Sequence, residues 1–495
     1  MSQVMPPPPA TPATSAHRPA DAAPTTLGAQ LHASPAVHAA IRAISAEIRA
    51  KSAHLTDVRP PRPELRESYE ASMARAAAVR GRGLLYPYIG SGLGNGALVE
   101  LADGSVKWDM IAGIGVHFFG HSDPDLAERA LAAGLDDTVK SGNLLSNFEA
   151  YSFAETLLKE AAKGSRLKHC YLSTSGAMAN ENAVKVCYQK HAPANRVLAF
   201  KDCFMGRSTA MVQIGDSADG RQGIPLNVHV DYMPFYDAVA AARMGKGRYV
   251  DMAVWHLTQY LDRYPGMHAC LIFELIQGEG GFNVGDRDYF KALMDVCKAR
   301  KVAVWDDEIQ TFGRTSRMFA YEHFDLGEYV DVFCVGKMTQ CCATLFTEEY
   351  NPKPGLLSGT FTGEGQSFRV GQRVIERLRD GKHYGEGGSI ARHHALFREQ
   401  VHALAARHSR LFPVMPAVGE LVGGVGGMMR FTPFGGAKDK INALCKACFD
   451  EGVILFYCGH GPYHVRMLPP LGVMREEDWP RVFACIERAM VKVGA

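Results

Sequence analysis

The sequence predicts an α/β fold, with a large domain built on a mostly parallel sheet covered by helices and a smaller α+β domain at the C-terminus. From about residue 97 onward, strand-like apolar runs alternate with helix-like segments. The apolar runs are continuous, which is typical of strands that have helices packed on both faces. With 495 residues, 47% of them hydrophobic, the chain is too long for one ordinary core and has apolar material for two or three packed units.

Two regions precede the large domain. Residues 1–36 are rich in Pro, Ala, Ser and Thr and have few large apolar side chains, so we predict a flexible tail. Residues 37–110 form the second region. Its first part is predicted to be helical to about residue 80, because Ile41, Ile44 and Ile48 recur at three- and four-residue spacing.

A hairpin and two domains come next. Residues 98–110 are predicted to pair as a hairpin that turns at Asp103-Gly104. The large domain is predicted over residues 111–379 and the small domain over residues 380–495. In the large domain the strand-like runs are 170–174, 196–200, 270–275, 302–305 and 330–335, and the clearest helices are 177–190 and 286–301. The small domain contains a helix-like segment near 438–451, an apolar run at 453–458 and a last helix from residue 476.

The bulk composition excludes some classes of partner. The 54 basic and 52 acidic side chains give a net charge of +2 without a basic run, so neither nucleic acid nor an anionic membrane is predicted as a partner. No apolar run is as long as a membrane span, and the N-terminus lacks the pattern of a secretory signal.

Twelve cysteines are scattered through apolar segments, which indicates reduced thiols in a cytoplasmic protein. We interpret the one CxxC pair, Cys445 and Cys448, as core packing and predict no metal.

Polar residues follow several of the predicted strands. In a doubly wound sheet, ligands bind beyond the carboxyl ends of the strands. Ser175 opens a helix after the run 170–174, and Glu274 lies near the end of the run 270–275. Asp307 follows the run 302–305, and Lys337 follows the run 330–335. A lysine, an acid and a helix start suited to phosphate are therefore expected at one edge of the sheet.

This combination suits pyridoxal phosphate. A lysine can form a Schiff base with the aldehyde of the cofactor. An acid beside the ring nitrogen keeps that nitrogen protonated, so that the ring can accept electrons from a substrate carbanion. The backbone N–H groups at a helix start favour a phosphate dianion.

Seven segments, in order from about residue 85 to 490, resemble those of class III aminotransferases, the omega-aminotransferase family. LSTSGAMANENAVK (172–185) resembles the family's phosphate segment, and WDDEIQTFGRT (305–315) resembles its DEVQTGFGRTG. VGKMT (335–339) is similar to the segment of the Schiff-base lysine. The other four are FMGRST (204–209), FELIQGEGG (273–281), SGTFTGE (358–364) and VRMLPPLG (465–472). The resemblance implies a PLP-dependent enzyme of fold type I.

The resemblance also implies roles around the cofactor ring. Lys337 would hold the cofactor and later move a proton between the substrate and the cofactor. Asp307 would pair with the ring nitrogen, whereas Asp306 should point elsewhere because neighbouring side chains on a strand alternate. Gln310 would contact the ring hydroxyl, and Phe204 would stack on the ring.

The phosphate would be bound by two subunits. Gly176 and Ala177 would donate backbone N–H groups to it, and Ser175 would add a hydroxyl. Thr360 would reach the phosphate of the neighbouring subunit, so the resemblance implies a homodimer with a shared site.

Four residues concern the substrates. Arg207 matches the arginine that binds a carboxylate remote from the reacting amine, and Arg466 matches the one that binds an α-carboxylate. Glu279 matches an acid that can pair with Arg466 when no α-carboxylate is present. Ile114 occupies the position where ornithine-type members carry a tyrosine, which favours the 4-aminobutyrate group.

Met205, Leu275 and Glu364 differ from the family pattern. The glycine that follows the family's QT is also missing, because Thr311 is followed directly by Phe312. None removes a group that the cofactor needs. The predicted activity is therefore a ping-pong transfer of an amino group, favoured to be a terminal one, to an oxo acid such as 2-oxoglutarate. The alternatives are an aminomutase or decarboxylase on the same fold, or a non-catalytic binding protein on that scaffold.

Overall fold

The computed structural model describes residues 26–137, 140–414, 416 and 420–494. The helices are α1 (Leu27–His32), α2 (Pro35–Ser52), α3 (Arg66–Arg80), α4 (Ala112–Gly115), α5 (Pro124–Ala133), α6 (Phe148–Ala161), α7 (Gly176–His191), α8 (Thr209–Ile214), α9 (Ala218–Arg221), α10 (Ala238–Met244), α11 (Lys246–Arg263), α12 (Arg287–Ala299), α13 (Ala320–His323), α14 (Gly365–Asp380), α15 (Ser389–Arg407), α16 (Lys438–Glu451) and α17 (Asp478–Gly494). The strands are β1 (Gly90–Asn95), β2 (Leu98–Leu101), β3 (Val106–Asp109), β4 (Lys140–Ser141), β5 (Leu167–Ser173), β6 (Arg196–Phe200), β7 (His229–Met233), β8 (His268–Phe273), β9 (Ala303–Glu308), β10 (Val332–Val335), β11 (Cys342–Thr347), β12 (Gly363–Glu364), β13 (Val422–Val425), β14 (Met428–Phe431), β15 (Val453–Ile454), β16 (Phe456–Cys458) and β17 (His464–Met467).

The central sheet has seven strands in the order β5-β11-β10-β9-β8-β6-β7. The neighbours from β10 to β7 are parallel, which confirms the predicted mostly parallel sheet. Only β11 runs antiparallel to both of its neighbours. The connection from β10 to β11, residues 336–341, is too short for the crossover that a parallel partner requires.

Helices cover both faces of this sheet. Alternate residues of each strand enter two separate hydrophobic clusters; on β9, for example, Val304 joins one cluster and Trp305 the other. Helix α7 packs on the face of Trp305, and α12 packs on the face of Val304. The continuous apolar strands of the sequence are thus explained by burial on both faces.

The hairpin predicted at residues 98–110 is confirmed as β2 and β3, which pair antiparallel. It joins a four-stranded sheet in which β15 of the C-terminal region pairs parallel with β3. The apolar run 453–458 is therefore divided between two sheets, because β16 pairs with β17 in the antiparallel sheet β13-β14-β17-β16. The N-terminal and C-terminal regions are consequently held together by backbone hydrogen bonds.

The N-terminal prediction is wrong in part. Residues 1–25 of the predicted tail lie outside the described residues, but α1 and the start of α2 lie within residues 26–36. The region to residue 80 is helical as predicted but is interrupted between α2 and α3. Pro60, Pro61 and Pro63 fall in that interruption, where they prevent a continuous helix.

Two bulk properties can be compared with the structure. All twelve cysteines are free thiols, and ten of them are buried, including Cys445 and Cys448 on α16. Across the described ranges, no helix combines the length and the hydropathy needed to cross a bilayer.

Candidate active site

Asp307 and Lys337 lie at the carboxyl ends of neighbouring parallel strands. Cys334 of β10 is the register partner of Asp307 on β9, and Lys337 begins the turn directly after β10. The backbone of Lys337 is left-handed, with φ 51°. The charge of each residue shifts the pKa of the other, although no ion pair joins them in the described part of the chain. The two groups therefore lie close enough for their charges to interact.

The Asp307 carboxylate is buried and held by two donors. It is 4% exposed and accepts hydrogen bonds from Asn180 Nδ2 at 2.7 Å and from the Ile309 backbone N–H at 2.9 Å. Burial raises the pKa of Asp307 to about 6, against the opposing effects of these donors and of Lys337. A buried carboxylate without a direct cationic partner among the described residues is suited to a positively charged ring nitrogen.

The Lys337 side chain is partly buried. Burial lowers the pKa of Lys337 below its usual value, while the charges of Glu279 and Asp307 oppose that shift. A lower pKa leaves more of the amine neutral, and the neutral amine is the form that attacks an aldehyde.

The start of α7 provides backbone donors beside these residues. Ser175 is the N-cap, and its Oγ accepts a hydrogen bond from the Met178 N–H at 3.2 Å. Gly176 and Ala177 occupy the first turn, where the N–H groups have no carbonyl partner within the helix. Gly206 lies close to Ala177, since a Cβ on that glycine would be 2.8 Å from the Ala177 Cβ. The sequence thus forms a narrow cradle of N–H groups, suited to a phosphate.

Glu274 connects two loops of the site. Its Oε1 accepts the Phe204 N–H at 3.0 Å, and its Oε2 accepts the Gly278 N–H at 2.8 Å. Burial, together with the charge of Asp307, raises the pKa of Glu274 to about 8. This carboxyl group therefore fixes both the aromatic residue proposed to cover the ring and the loop that carries Glu279.

Arg466 is fully buried and paired with Glu279. Its Nη1 and Nη2 lie 2.8 and 3.0 Å from the two oxygens of Glu279, in a bidentate arrangement. Gln310 Oε1 lies 3.5 Å from the same guanidinium. Burial opposes ionisation of Glu279, but the charge of Arg466 and its hydrogen bonds lower the pKa of Glu279 overall.

Arg207 differs from Arg466 in having no acidic partner among the described residues. It lines a cavity of about 220 Å³ together with Phe204 and Glu279. Its guanidinium lies 5.7 Å from the centre of the Phe204 ring. Lys438 and His460 of the C-terminal region line the same cavity. A larger cavity, of about 820 Å³, lies beside α1, α6 and α14 and is lined by none of the predicted site residues.

Two residues expected at the site stand apart from this cluster. Thr360 lies exposed in the loop before β12, where the Gly359 carbonyl accepts the Asn143 N–H at 3.0 Å. Ile114 lies in α4, which packs against the turn that begins at Lys337. Its side chain is partly buried.

The sequence did not assign Asn180, Glu274 or Arg314 to the site. Asn180 lies in the matched phosphate segment, and a buried asparagine one turn after Gly176 is a signal that could have been used. Glu274 was noted only as the residue that ends a strand. Arg314 lies in the matched segment 305–315, but its partners could not be predicted, because its hydrogen bonds go to carbonyls of distant segments.

The side chains present fit pyridoxal phosphate. The Asp307 carboxylate without a direct cation, the Lys337 amine and the start of α7 all lie at carboxyl ends of strands in one sheet, and the Asn180–Asp307 hydrogen bond joins α7 to β9. These groups match the ring nitrogen, the aldehyde and the phosphate of the cofactor, respectively.

Comparison with known proteins gives a consistent result. The sequence model of the family "Aminotransferase class-III" matches residues 89–490. A 4-aminobutyrate aminotransferase from Mycobacterium tuberculosis is 28% identical over 424 residues, which cover 81% of this chain and 90% of that protein. A diaminobutyrate–2-oxoglutarate transaminase from Streptomyces coelicolor is 28% identical over 392 residues, covering 76% of this chain and 87% of that one.

Solved structures show the same fold. The lysine aminotransferase from M. tuberculosis superimposes with a TM-score of 0.71 at 21% identity, over 85% of this chain and 99% of the other. At this identity the likeness establishes the fold, which is the predicted fold type I architecture, and does not bear on the substrate.

Proposed function

This chain belongs to the class-III aminotransferase family of pyridoxal-phosphate-dependent enzymes, and we propose that it transfers a terminal amino group from an ω-amino acid to an oxo acid such as 2-oxoglutarate. The observation that carries the proposal is the contrast between two arginines. Arg466 is occupied by Glu279, whereas Arg207 lines the cavity without an acidic partner among the described residues. The resting site is thus prepared for a substrate that has one carboxylate far from its reacting amine.

The cofactor and the protein contribute different parts of the reaction. When bound, pyridoxal phosphate supplies an electron sink for the substrate carbon that bears the amine. Lys337 holds the cofactor through Nζ and then, as a free amine, takes the proton from that carbon. Asp307 keeps the ring nitrogen protonated, and Asn180 fixes the direction of the Asp307 carboxylate.

The remaining cofactor contacts follow from the same geometry. Ser175, Gly176 and Ala177 bind the phosphate at the start of α7. Phe204 covers one side of the ring, and its position is fixed by Glu274. Gln310 follows Asp307 by three residues, and its Oε1 lies 3.5 Å from Arg466, which supports the proposed contact of Gln310 with the ring hydroxyl.

The two half-reactions use the arginines differently. In the first, Arg207 binds the remote carboxylate of the amine donor while Glu279 occupies Arg466. In the second, the α-carboxylate of the oxo acid takes the place of Glu279 on Arg466, and its distal carboxylate binds Arg207. A bidentate guanidinium–carboxylate pair favours both arrangements. Ile114, in place of a tyrosine, leaves the α-carboxylate end without a second polar anchor.

A homodimer that shares its site is part of the proposal. Leu144, Leu145, Phe148 and Phe361 are large apolar side chains that are 101%, 61%, 82% and 46% exposed, and they belong to the segments around Thr360. Asn143 Nδ2 donates to Ser358 Oγ at 2.6 Å, so the two loops form one surface. An exposed apolar surface of this kind favours burial against a partner. Thr360 would then reach the phosphate of the other subunit.

The free thiols support a cytoplasmic location. Twelve unpaired cysteines, ten of them buried, are typical of a protein from a reducing compartment. The proposed partners are small amines, oxo acids and a second copy of the chain.

A half-reaction screen tests the proposed substrates. The protein with bound cofactor, of verified dimeric mass, is mixed with 4-aminobutyrate, 2,4-diaminobutyrate, ornithine, acetylornithine, lysine or butylamine, and the cofactor absorbance is followed. We expect conversion by an ω-amino acid and recovery on addition of 2-oxoglutarate. Arg207→Met should lower kcat/KM for 4-aminobutyrate by roughly 100-fold, because a charge-assisted bidentate pair is lost. Butylamine, which has no carboxylate, should be affected little.

Other outcomes identify the alternatives. Turnover that needs no oxo acid would indicate an aminomutase or a decarboxylase. A cofactor absorbance that no amine changes would indicate a binding protein on this scaffold. The variant Lys337→Ala provides the control for spectral changes that do not come from the reaction.

A further inference from the structure

The cavity of about 220 Å³ that contains Arg207 has walls from two parts of the chain. Arg207 and Asp219 come from the segment between β6 and β7, whereas Lys438 and Tyr463 come from the C-terminal region. Glu279, the residue that occupies the second arginine, lines the cavity as well, so the cavity adjoins the proposed substrate site. The proposed function uses Arg207 and leaves Lys438 without a role.

Backbone contacts fix the position of Lys438 in the cavity wall. Lys438 is the first residue of α16, and the turn before this helix is tied to the loop that carries Tyr463. The Tyr463 N–H donates to the Gly436 carbonyl at 3.0 Å. A Cβ on Gly436 would lie 2.6 Å from the Pro462 Cβ, so the turn and the loop are in close contact. Lys438 therefore starts from a defined place beside Tyr463.

The loop that carries Tyr463 also contacts the segment of Glu279. The Gly459 N–H donates to the Glu279 carbonyl at 2.9 Å. A Cβ on Gly281 would lie 3.5 Å from the Gly459 Cα, so the two backbones run side by side. A continuous series of backbone contacts thus connects Lys438 to the residue that pairs with Arg466.

The ammonium group of Lys438 has only a weak partner. Its one ion pair among the described residues is with Asp219, and the 3.7 Å between Nζ and Oδ2 is too long for a hydrogen bond. The two side chains are 53% and 88% exposed. A pair this exposed contributes little free energy, so a carboxylate of a ligand can take the place of Asp219. The Tyr463 ring, whose centre is 5.3 Å from Nζ, lies between the ammonium group and its own loop as part of the cavity wall.

The cavity therefore carries positive charge that no acid fully balances. Arg207 has no acidic partner in the described ranges, and the partner of Lys438 is exposed. Of the two acids that line the cavity, Glu279 is paired with Arg466, and Asp219 is the exposed one. Two cations without strong partners in one cavity attract an anion.

We propose that Lys438 is a specificity-determining residue that binds the remote carboxylate of the amine donor together with Arg207. This inference rests on the proposed function and identifies a second residue that selects an ω-amino acid over a simple alkylamine. In the resting protein Asp219 lies beside Lys438, and the carboxylate of the donor takes its place on binding. Because Arg207 and Lys438 belong to different parts of the chain, the bound carboxylate joins the two walls of the cavity.

Three variants test this role by steady-state kinetics. Lys438→Met removes the ammonium group and should raise KM for 4-aminobutyrate by about tenfold at nearly unchanged kcat, while butylamine should be affected little. Lys440→Met is the matched control, because Lys440 lies on the same helix and donates to the Val493 carbonyl at 2.9 Å, away from the cavity lining. Asp219→Asn removes the competing carboxylate and should lower KM by roughly twofold to threefold.

Calorimetric titration of the protein with bound cofactor gives a readout that does not depend on turnover. The dissociation constant of butanoate, which lacks the amine and cannot react, should rise in Lys438→Met and fall in Asp219→Asn. That of butanamide, which has a similar shape without the charge, should change in neither. Raising the ionic strength from about 0.01 M to about 1 M shortens the Debye length from about 30 Å to about 3 Å, so the difference between wild type and Lys438→Met should then become small.

Opposite shifts in the Lys438 and Asp219 variants are the decisive result. If Lys438→Met changes KM and butanoate binding no more than Lys440→Met does, Lys438 contributes only general surface charge and the inference is wrong. If Asp219→Asn weakens butanoate binding as Lys438→Met does, the ion pair only supports the cavity wall, and the inference is equally wrong. Failure of the proposed function would instead appear in the wild-type protein, as the absence of a reaction with every ω-amino acid.

Discussion

Asp307 and Asp306 are neighbours on β9, and both are buried, but their side chains point to opposite faces of the sheet. Asp307 receives hydrogen bonds from Asn180 and Ile309 and lies near the charge of Lys337. Asp306 receives no hydrogen bond from a backbone N–H or a basic side chain in the described part of the chain, and the ionisable group that most raises its pKa is another acid, Glu308. Burial alone therefore does not distinguish the two faces of β9. The two aspartates differ in the hydrogen-bond donors and charges beside them.

Glu308 shares the rear face with Asp306. Its Oε1 accepts the Tyr321 N–H at 2.9 Å, while its Oε2 has no partner among the described residues. Burial raises the pKa of both acids, that of Glu308 to about 8, and their proximity raises the pKa of Asp306 further. Burial therefore favours the neutral forms of Asp306 and Glu308, whereas the pKa of Asp307, about 6, lets it carry the charge that the cofactor ring needs.

The largest expected effect tests which face of β9 takes part in catalysis. Asp307→Asn should lower kcat by roughly 100- to 1000-fold, because a carboxamide cannot keep the ring nitrogen protonated. Asp306→Asn is the matched control on the other face and should leave kcat nearly unchanged. Steady-state kinetics with saturating cofactor measure both. Equal losses of kcat in the two variants would show that any change in β9 disturbs the structure of the site. That result would contradict the assignment of Asp307 as the residue that pairs with the ring nitrogen.

The next effect concerns stability and pH. Because the pKa of Glu308 is higher in the folded state than in the unfolded state, its contribution to stability is complete below its unfolded pKa and is lost as the pH rises toward about 8. The unfolding temperature of the wild-type protein should therefore fall by several degrees between pH 5 and pH 8. The double variant Asp306→Asn, Glu308→Gln should lose this slope.

Calorimetry across this pH range measures the difference. Subtracting the two curves removes contributions from other titrating groups that both proteins share. A slope that is identical in the double variant would show that the rear acids are not protonated together in the folded protein.

The smallest effect concerns the support of Asp307. Asn180→Ala removes the 2.7 Å hydrogen bond that directs the carboxylate. A hydrogen bond to a charged group contributes about 1.5–3 kcal/mol, so kcat should fall by about 10- to 160-fold, less than in Asp307→Asn. The double variant Asn180→Ala, Asp307→Asn should be no slower than Asp307→Asn alone. Additive losses would mean that Asn180 acts on some other group.

Much of this site could be predicted because its residues lie in short motifs or directly after predicted strands. Lys337 and Asp307 come after apolar runs, and parallel strands bring the residues at their carboxyl ends to one edge of the sheet. The alternation of side chains on a strand also predicted that Asp306 would face away from Asp307. Such inferences need only local pattern and the handedness of the fold.

Other features depend on contacts between distant segments. The pairing of β15 with β3 cannot be seen in a continuous apolar run, and the left-handed turn at Ile114 contains a residue that disfavours that backbone. Arg314 binds carbonyls, which leave no mark in the sequence. The helix at Leu27–His32 was missed because its composition resembles a tail; in the structure Thr26 caps it and Ala29 is its buried residue.

The contact between Glu279 and Arg466 joins a loop of the central domain to a strand of the small antiparallel sheet. Glu279 therefore occupies the Arg466 guanidinium as a carboxylate tethered at high effective concentration. In the proposed reaction, an oxo acid would have to compete with this internal carboxylate, and the carboxylate would in turn favour release of the amino acid. The affinity for either reactant would then be lower than the guanidinium alone could provide.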